Sequence, residues 1–189
     1  MKMYLPAFSI VALFLSAAAC AENTAPDVSA TLHISGIATQ MPGCAVVLSK
    51  QSVALTSNTS GLIIQGSDAN AAEMIAINIT GASGQASEVC DEDAYQGHLA
   101  VTFNGQADDV HGTVLANTDT SGSAASGVGI GVFNHLNQPV SVNGGIIHLD
   151  KASGGSNAAE FGVQMVKLQN KTVKAGNVIG SMTVQISRL

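Results

Sequence analysis

Five histidines, three cysteines and one short run of acids are the side chains here best suited to catalysis or metal binding. His33, His98, His111, His135 and His148 stand far apart, with no HxH or HExxH spacing, and no cysteine pair has zinc-finger spacing. A β-sandwich can gather ligands from distant strands, so a metal-dependent enzyme is one reading of them, and scattered surface histidines are the plainer one. Asp91-Glu92-Asp93 offers carboxylates to calcium, yet three adjacent acids in a strand or loop cannot all face one ion. A solvated charged tip beside Cys90 is expected instead. Gly127-Val128-Gly129-Ile130-Gly131 resembles a phosphate-cradling loop only superficially: its spacing is not GxGxxG, and Val132-Phe133-Asn134 continues a strand pattern. Small residues there let neighbouring backbone approach closely. No serine sits in a GxSxG elbow and the cysteines offer no nucleophile. The residues give no positive argument for an enzyme, and neither metal nor cofactor is expected.

The cysteines point to export. Lys2 precedes an almost wholly apolar or small run, Met3 to Ala19, and Ala19-Cys20-Ala21 fits the small-x-small cleavage pattern. A secretory signal peptide over residues 1–21 is therefore expected, the run being too short for a retained membrane span. In a competing reading Cys20 carries a lipid anchor, although Ala17 stands where lipoproteins usually have Leu. With the leader removed Cys44 and Cys90 remain, an even number in an exported protein, and one disulfide is expected. It would close a loop of about 46 residues, worth roughly 4 kcal/mol on the chain-entropy account.

The elements that must carry these residues are strands. Val28, Ala30, Leu32 and Ile34 alternate with Ser29, Thr31, His33 and Ser35; Ile75, Ile77 and Ile79, then Leu99, Val101 and Phe103, then Val128, Ile130 and Val132 do the same. Phe161, Val163 and Met165 follow, and Met182, Val184 and Ile186 alternate with Thr183, Gln185 and Ser187. Period two with β-branched residues means half-buried strands. Turn-rich stretches between them, such as Gly81 to Ser87, Asn117 to Ser126 and Ser153 to Asn157, give the spacing of an antiparallel sandwich, with helix expected only as single turns in loops. The 189 residues suit one domain, 46% hydrophobic content excludes disorder, and 11% charge excludes a charged coiled coil. A net charge of −6 argues against a nucleic-acid partner.

Taken in order, these parts resemble the pilin subunits of chaperone–usher fimbriae, the type 1 family, over essentially the whole mature chain. Thr31-Leu32-His33-Ile34-Ser35-Gly36-Ile37 resembles the family's N-terminal extension with its in-phase glycine, and Cys44 and Cys90 match its disulfide. Val101-Thr102-Phe103-Asn104-Gly105 resembles the V-x-F-x-G strand, and Ala124-Ala125-Ser126-Gly127-Val128-Gly129-Ile130 the stretch around the V-G-I/V motif. Ala175-Gly176 followed by Gly180-Ser181-Met182-Thr183-Val184-Gln185-Ile186 resembles the C-terminal strand. Departures are Ile186 and a Ser187-Arg188-Leu189 extension where members end near an aromatic, Met165 where Tyr is common, and a longer stretch between Ile79 and Cys90.

The resemblance implies an all-β, immunoglobulin-like antiparallel sandwich that lacks its last strand, over residues 39–189, preceded by a donor-strand extension over residues 22–38. It implies that Ala30, Leu32, Ile34 and Gly36 fill pockets of a neighbouring subunit by strand addition, outside the core of their own domain, and that Met182, Val184 and Ile186 line the groove. The partners implied are a periplasmic pilus chaperone, an outer-membrane usher and neighbouring pilin subunits, and the destination is an extracellular fimbria on a Gram-negative surface. The function implied is that of a structural, non-enzymatic fimbrial subunit. Its alternatives are a minor adaptor or terminator subunit of the same fimbria and a lipid-anchored immunoglobulin-like binding domain. An ordinary first strand paired within its own domain would show the same alternation as a donor strand.

Overall fold

Among the described residues, alternating sequences fold into twelve strands, with one α-helix. The computed structural model describes residues 26–38, 44–81, 83–84, 87–149 and 158–189. The expected signal peptide, Cys20, and the loop at Ser153 to Asn157 lie outside them. In chain order the elements are β1 (Asp27–Ala38), β2 (Cys44–Leu48), β3 (Ser52–Asn58), a 3-10 turn (Thr59–Gly61), β4 (Ile63–Ile64), β5 (Glu73–Gly81) and α1 (Glu88–Tyr95). There follow β6 (Leu99–Gly105), β7 (Leu115–Ala116), β8 (Val128–Asn134), β9 (Pro139–Val140), β10 (Ile146–His148), β11 (Ala158–Lys167) and β12 (Gly176–Arg188).

Two sheets stack into an immunoglobulin-like sandwich. The first runs β10-β6-β12-β1-β3 and the second β2-β5-β11-β8-β7, with β4 on β11 and β9 on β8. Pairing is antiparallel except for β1 on β12 and β4 on β11. The inward rows foreseen from the alternation meet between the sheets: Ile75, Ile77, Val101, Phe103, Ile130, Phe161, Val163 and Val184 are all fully or almost fully buried. Phe103 of β6 and Phe161 of β11 meet across the gap with ring centroids 5.0 Å apart and planes tilted by 56°, within the centroid range of favourable aromatic pairs.

Two features depart from the expected plan of half-buried strands. β8 and β11 are buried on both faces, because Phe133, Val166, Leu168 and Val114 form a second apolar cluster outside the sandwich, packed by Ile63, Ala69, Ala72 and Val110. Gln164 holds this cover on: its Oε1 accepts from the backbone N–H groups of Asn70 and Ala71, and its amide donates to Asn70 Oδ1 at 2.7 Å. The glycines of β8 make room for it, since a Cβ on Gly129 would lie 2.8 Å from the Leu115 carbonyl oxygen and one on Gly131 2.9 Å from the Phe133 ring.

The second departure is α1, two helical turns where a charged tip was expected. Ser87 caps it by accepting from the Cys90 N–H, Glu88 and Asp91 lie in the first turn where the helix dipole favours anions, and Gly97 leaves it at φ +71°. Eight residues do not hold a helix alone. Asp93, buried and not solvated, accepts from Arg188 at 2.9 Å, and the Cys44–Cys90 disulfide joins the helix to β2 with Cα atoms 5.8 Å apart. The expected disulfide is thus present.

Candidate functional site

The feature with functional content is a groove in the first sheet. Without β1, that sheet is open between β12 and β3. Residues from Cys44 onward make a sandwich lacking one strand, and the chain's own N-terminal segment fills the gap. Val28–Ala38 runs parallel along Gly176–Ile186, and Asp27–His33 runs antiparallel along Ser52–Asn58. The Ile34 N–H to the Gln51 carbonyl, 2.9 Å, and the Thr59 N–H to the Pro26 carbonyl, 3.1 Å, extend the second ladder at both ends.

Period two decides what enters the groove. Val28, Ala30, Leu32 and Ile34 are buried, while Ser29, Thr31, His33 and Ser35 face outward. The groove's wall on β12 is Val178, Gly180, Met182, Val184 and Ile186, all buried, with Val53 buried and Leu55 half-buried on β3. These inward rows carry no charged side chain. Sizes are matched along them. Leu32 lies opposite Gly180, where a Cβ would approach Leu32 Cδ1 to 3.4 Å and Ile130 Cδ1 to 3.0 Å. Gly36 lies against β2, where a Cβ would stand 3.2 Å from Val46 Cβ. On the outer face the strands are stitched by Ser29 Oγ donating to Asn177 Oδ1 at 3.1 Å and by the Ser35 and Thr183 hydroxyls at 3.3 Å.

β12 is itself anchored at both ends. Asn117 clamps its first half, donating to the Asn177 carbonyl at 3.0 Å and accepting from the Ile179 N–H at 2.9 Å. Arg188 on Asp93 and the Leu189 N–H on the His98 carbonyl fix its far end to α1.

The structure therefore places Ala30, Leu32 and Ile34 in the core of their own domain, and this corrects the expectation that the segment lies outside it. Val28 is buried too, so the strand begins earlier than its polar neighbours suggested. The physical reason is that an open sheet edge beside an apolar trough is filled by the nearest alternating segment, and β1 precedes β2 by only a few residues. The candidate catalytic residues are not brought together: among the described residues no three His, Cys, Asp or Glu side chains form a group able to hold a metal.

Residue-level reading missed Asp108. It sits in the loop after β6, on the outer side of the second sheet, and is 6% exposed. Its Oδ1 accepts from the N–H groups of Val110 and His111, and its Oδ2 from those of Thr113 and Val114 and from the Gln65 amide at 3.1 Å. Burial pushes this carboxyl up, but the backbone donors, led by His111 and Val114, and the Gln65 amide outweigh it and hold the pKa at about 2. The signal available was Asp108-Asp109 followed by His111-Gly112, a turn composition with a carboxylate able to collect loop N–H groups.

An all-β sandwich whose sheet is completed by a strand from the chain's N-terminus is the class that fold and groove define. Residues 85–187, more than half of the chain, match the profile described as fimbrial protein, and the chain belongs to that family. A crystal structure titled as an antigen and type I fimbria protein of Burkholderia pseudomallei is similar at 13% identity, over 85% of this chain and 94% of that chain, with a TM-score of 0.40. No curated protein matches the sequence. The chain is thus a fimbrial subunit, a component of an extracellular fimbria that assembles with other pilin subunits.

Proposed function

We propose that this chain is a structural, non-enzymatic subunit of a chaperone–usher fimbria, exported through the periplasm of a Gram-negative cell and polymerised by donor-strand exchange. The observation that carries the reading is the position of β1. It is the middle strand between β12 and β3, it comes from the end of the chain, and its removal opens an apolar trough. The same row, Ala30, Leu32, Ile34 and Gly36, acts as donor when it enters the trough of a neighbour, while Met182, Val184 and Ile186 line the acceptor. In the periplasm a chaperone strand protects the trough, the usher releases it, and head-to-tail addition produces an open fibre because the contact is heterologous and does not close. An unprotected trough would be an aggregation hazard.

The test is fibre assembly in cells that express the chain with a cognate chaperone and usher. Leu32→Asp places a carboxylate in the donor row and is expected to abolish surface fibres while leaving chaperone-bound subunit in the periplasm. Fibres of normal length and number from the Leu32→Asp chain would overturn donor-strand polymerisation.

A further inference from the structure

The first sheet ends at β3, and the far edge of that strand, the one turned away from β1, has no described strand beside it. The other strands that end the two sheets, β2, β7 and β10, are short, with five, two and three residues, whereas β3 has seven. Ser52–Asn58 also holds no charged residue, proline or glycine, so it lacks the devices that ordinarily keep a strand edge from pairing. The direction of its backbone groups follows from the ladder with β1. The Ile34 N–H reaches the Gln51 carbonyl, the Thr59 N–H reaches the Pro26 carbonyl, and the register between them is unbroken. Bonded pairs alternate along an antiparallel ladder. Gln51, Val53, Leu55 and Ser57 therefore turn their backbone groups to β1, and Ser52, Ala54 and Thr56 turn theirs outward. The side chains of those three are exposed, and Leu55 with Met165 lines a pocket of about 240 Å³ beside this edge, whose mouth a further strand would cover.

We infer that β3 pairs antiparallel with β3 of a second copy, across a two-fold axis at Ala54, and so joins the first sheets of two subunits into one. In that register Ala54 faces Ala54 and Ser52 faces Thr56. Each of these pairs exchanges two N–H···O bonds, which uses every outward group of the three residues. A slip of two residues sets Ser52 against Asn58, the cap of the 3-10 turn, or Thr56 against Lys50, outside the strand. On the core side Val53 lies beside Leu55, and on the outer side the hydroxyls of Ser52 and Thr56 meet. No like charges stand opposite one another. An edge that matches itself in this way is met by a second copy wherever a fimbria presents the chain repeatedly, and the contact then holds fibres side by side. The inference goes beyond the donor-strand reading and does not depend on it, because the groups it uses point away from β1.

The test uses the exported chain, purified with its disulfide intact. Ala54→Cys is expected to form an intermolecular disulfide on mild oxidation, because Cα atoms of a bonded antiparallel pair lie about 5.5 Å apart, within disulfide reach. Thr56→Cys, which faces Ser52, is expected to stay uncrosslinked. Sedimentation of the unaltered chain should show a dimer. Ala54→Pro should weaken it at least about tenfold, since proline removes an outward donor and leaves the β1 ladder whole. Ala54→Val, which keeps the donor, should dimerise like the unaltered chain. A chain that stays monomeric at every concentration, an absent Ala54→Cys cross-link, or equal cross-linking at both positions would overturn the pairing. So would a dimer indifferent to Ala54→Pro, the result expected if copies associate by exchanging β1, which leaves the outer edge of β3 untouched.

Discussion

Truncation of Leu32 to alanine asks whether β1 belongs to the core of the isolated chain. Leu32 is fully buried, at 0% exposure, with Gly180 opposite and Ile130 beyond it. Leu→Ala in a core costs about 2–5 kcal/mol, the sum of lost transfer energy and the residual cavity. Collapse is the only relief, and Gly180 has no side chain to move into the void, so the cost falls in the upper part of that range, about 3–5 kcal/mol. For a chain of this size each kcal/mol lowers the melting temperature by about 2–4 °C, giving a fall of about 6–20 °C. Against a total stability of about 5–15 kcal/mol this is a large fraction. The assay is thermal and urea denaturation of the purified chain with its disulfide intact, alongside Ser35→Ala on the outer face, which should stay within about 0.5 kcal/mol. A loss below about 1 kcal/mol for Leu32→Ala would refute the argument, because it would mean that β1 does not occupy its own groove.

Asp108 should shape the acid limb of the stability curve. Its folded pKa of about 2 lies below the ordinary value of 3.8, so its contribution is full above about pH 4 and is lost as pH falls from there through about 2. Asp108→Asn should cost about 2–3 kcal/mol at neutral pH and flatten that acid limb; denaturation midpoints between pH 2 and 7 that parallel those of the unaltered chain would contradict this. Val184→Asp sets an unpaired carboxylate at a fully buried position of β12 and should cost several kcal/mol, roughly 3–5. The expected readout is loss of the subunit from periplasmic extracts, and normal levels would count against the register of β12.

Alternation makes most strands readable in the sequence, because side chains on a half-buried strand report their face every second residue. The inward rows of β1, β5, β6 and β12 follow it. What alternation cannot carry is the identity of the neighbour: Val28 to Ile34 shows one pattern whether it pairs with β12 of its own chain or of another. The second layer was hidden for a related reason. Gly131, Phe133, Gln164 and Val166 occupy the positions that alternation assigns to solvent, and only the fold of the loops after β3 and β6 reveals that something covers them. α1 escaped because its residues are acidic and weakly patterned, and tertiary ties through Cys90 and Asp93 supply what its composition does not. Asp108 was legible as a turn residue, but its five donors converge from a loop and from Gln65, far away in sequence.

The parallel course of β1 beside β12 has a mechanical consequence. Val28 lies level with Gly176, and β12 then runs on to leave the sheet at Arg188. The N-terminal end of one strand and the C-terminal end of its neighbour are therefore at opposite ends of the same seam. A pull on the two ends of the described chain slides β1 along β12 and loads the backbone hydrogen bonds between them together, not one after another as in peeling. The antiparallel seam with β3 lies alongside and shares the load over its own length. Resistance to tension is then set by the rate at which the whole seam slips, and each residue added to it raises that resistance.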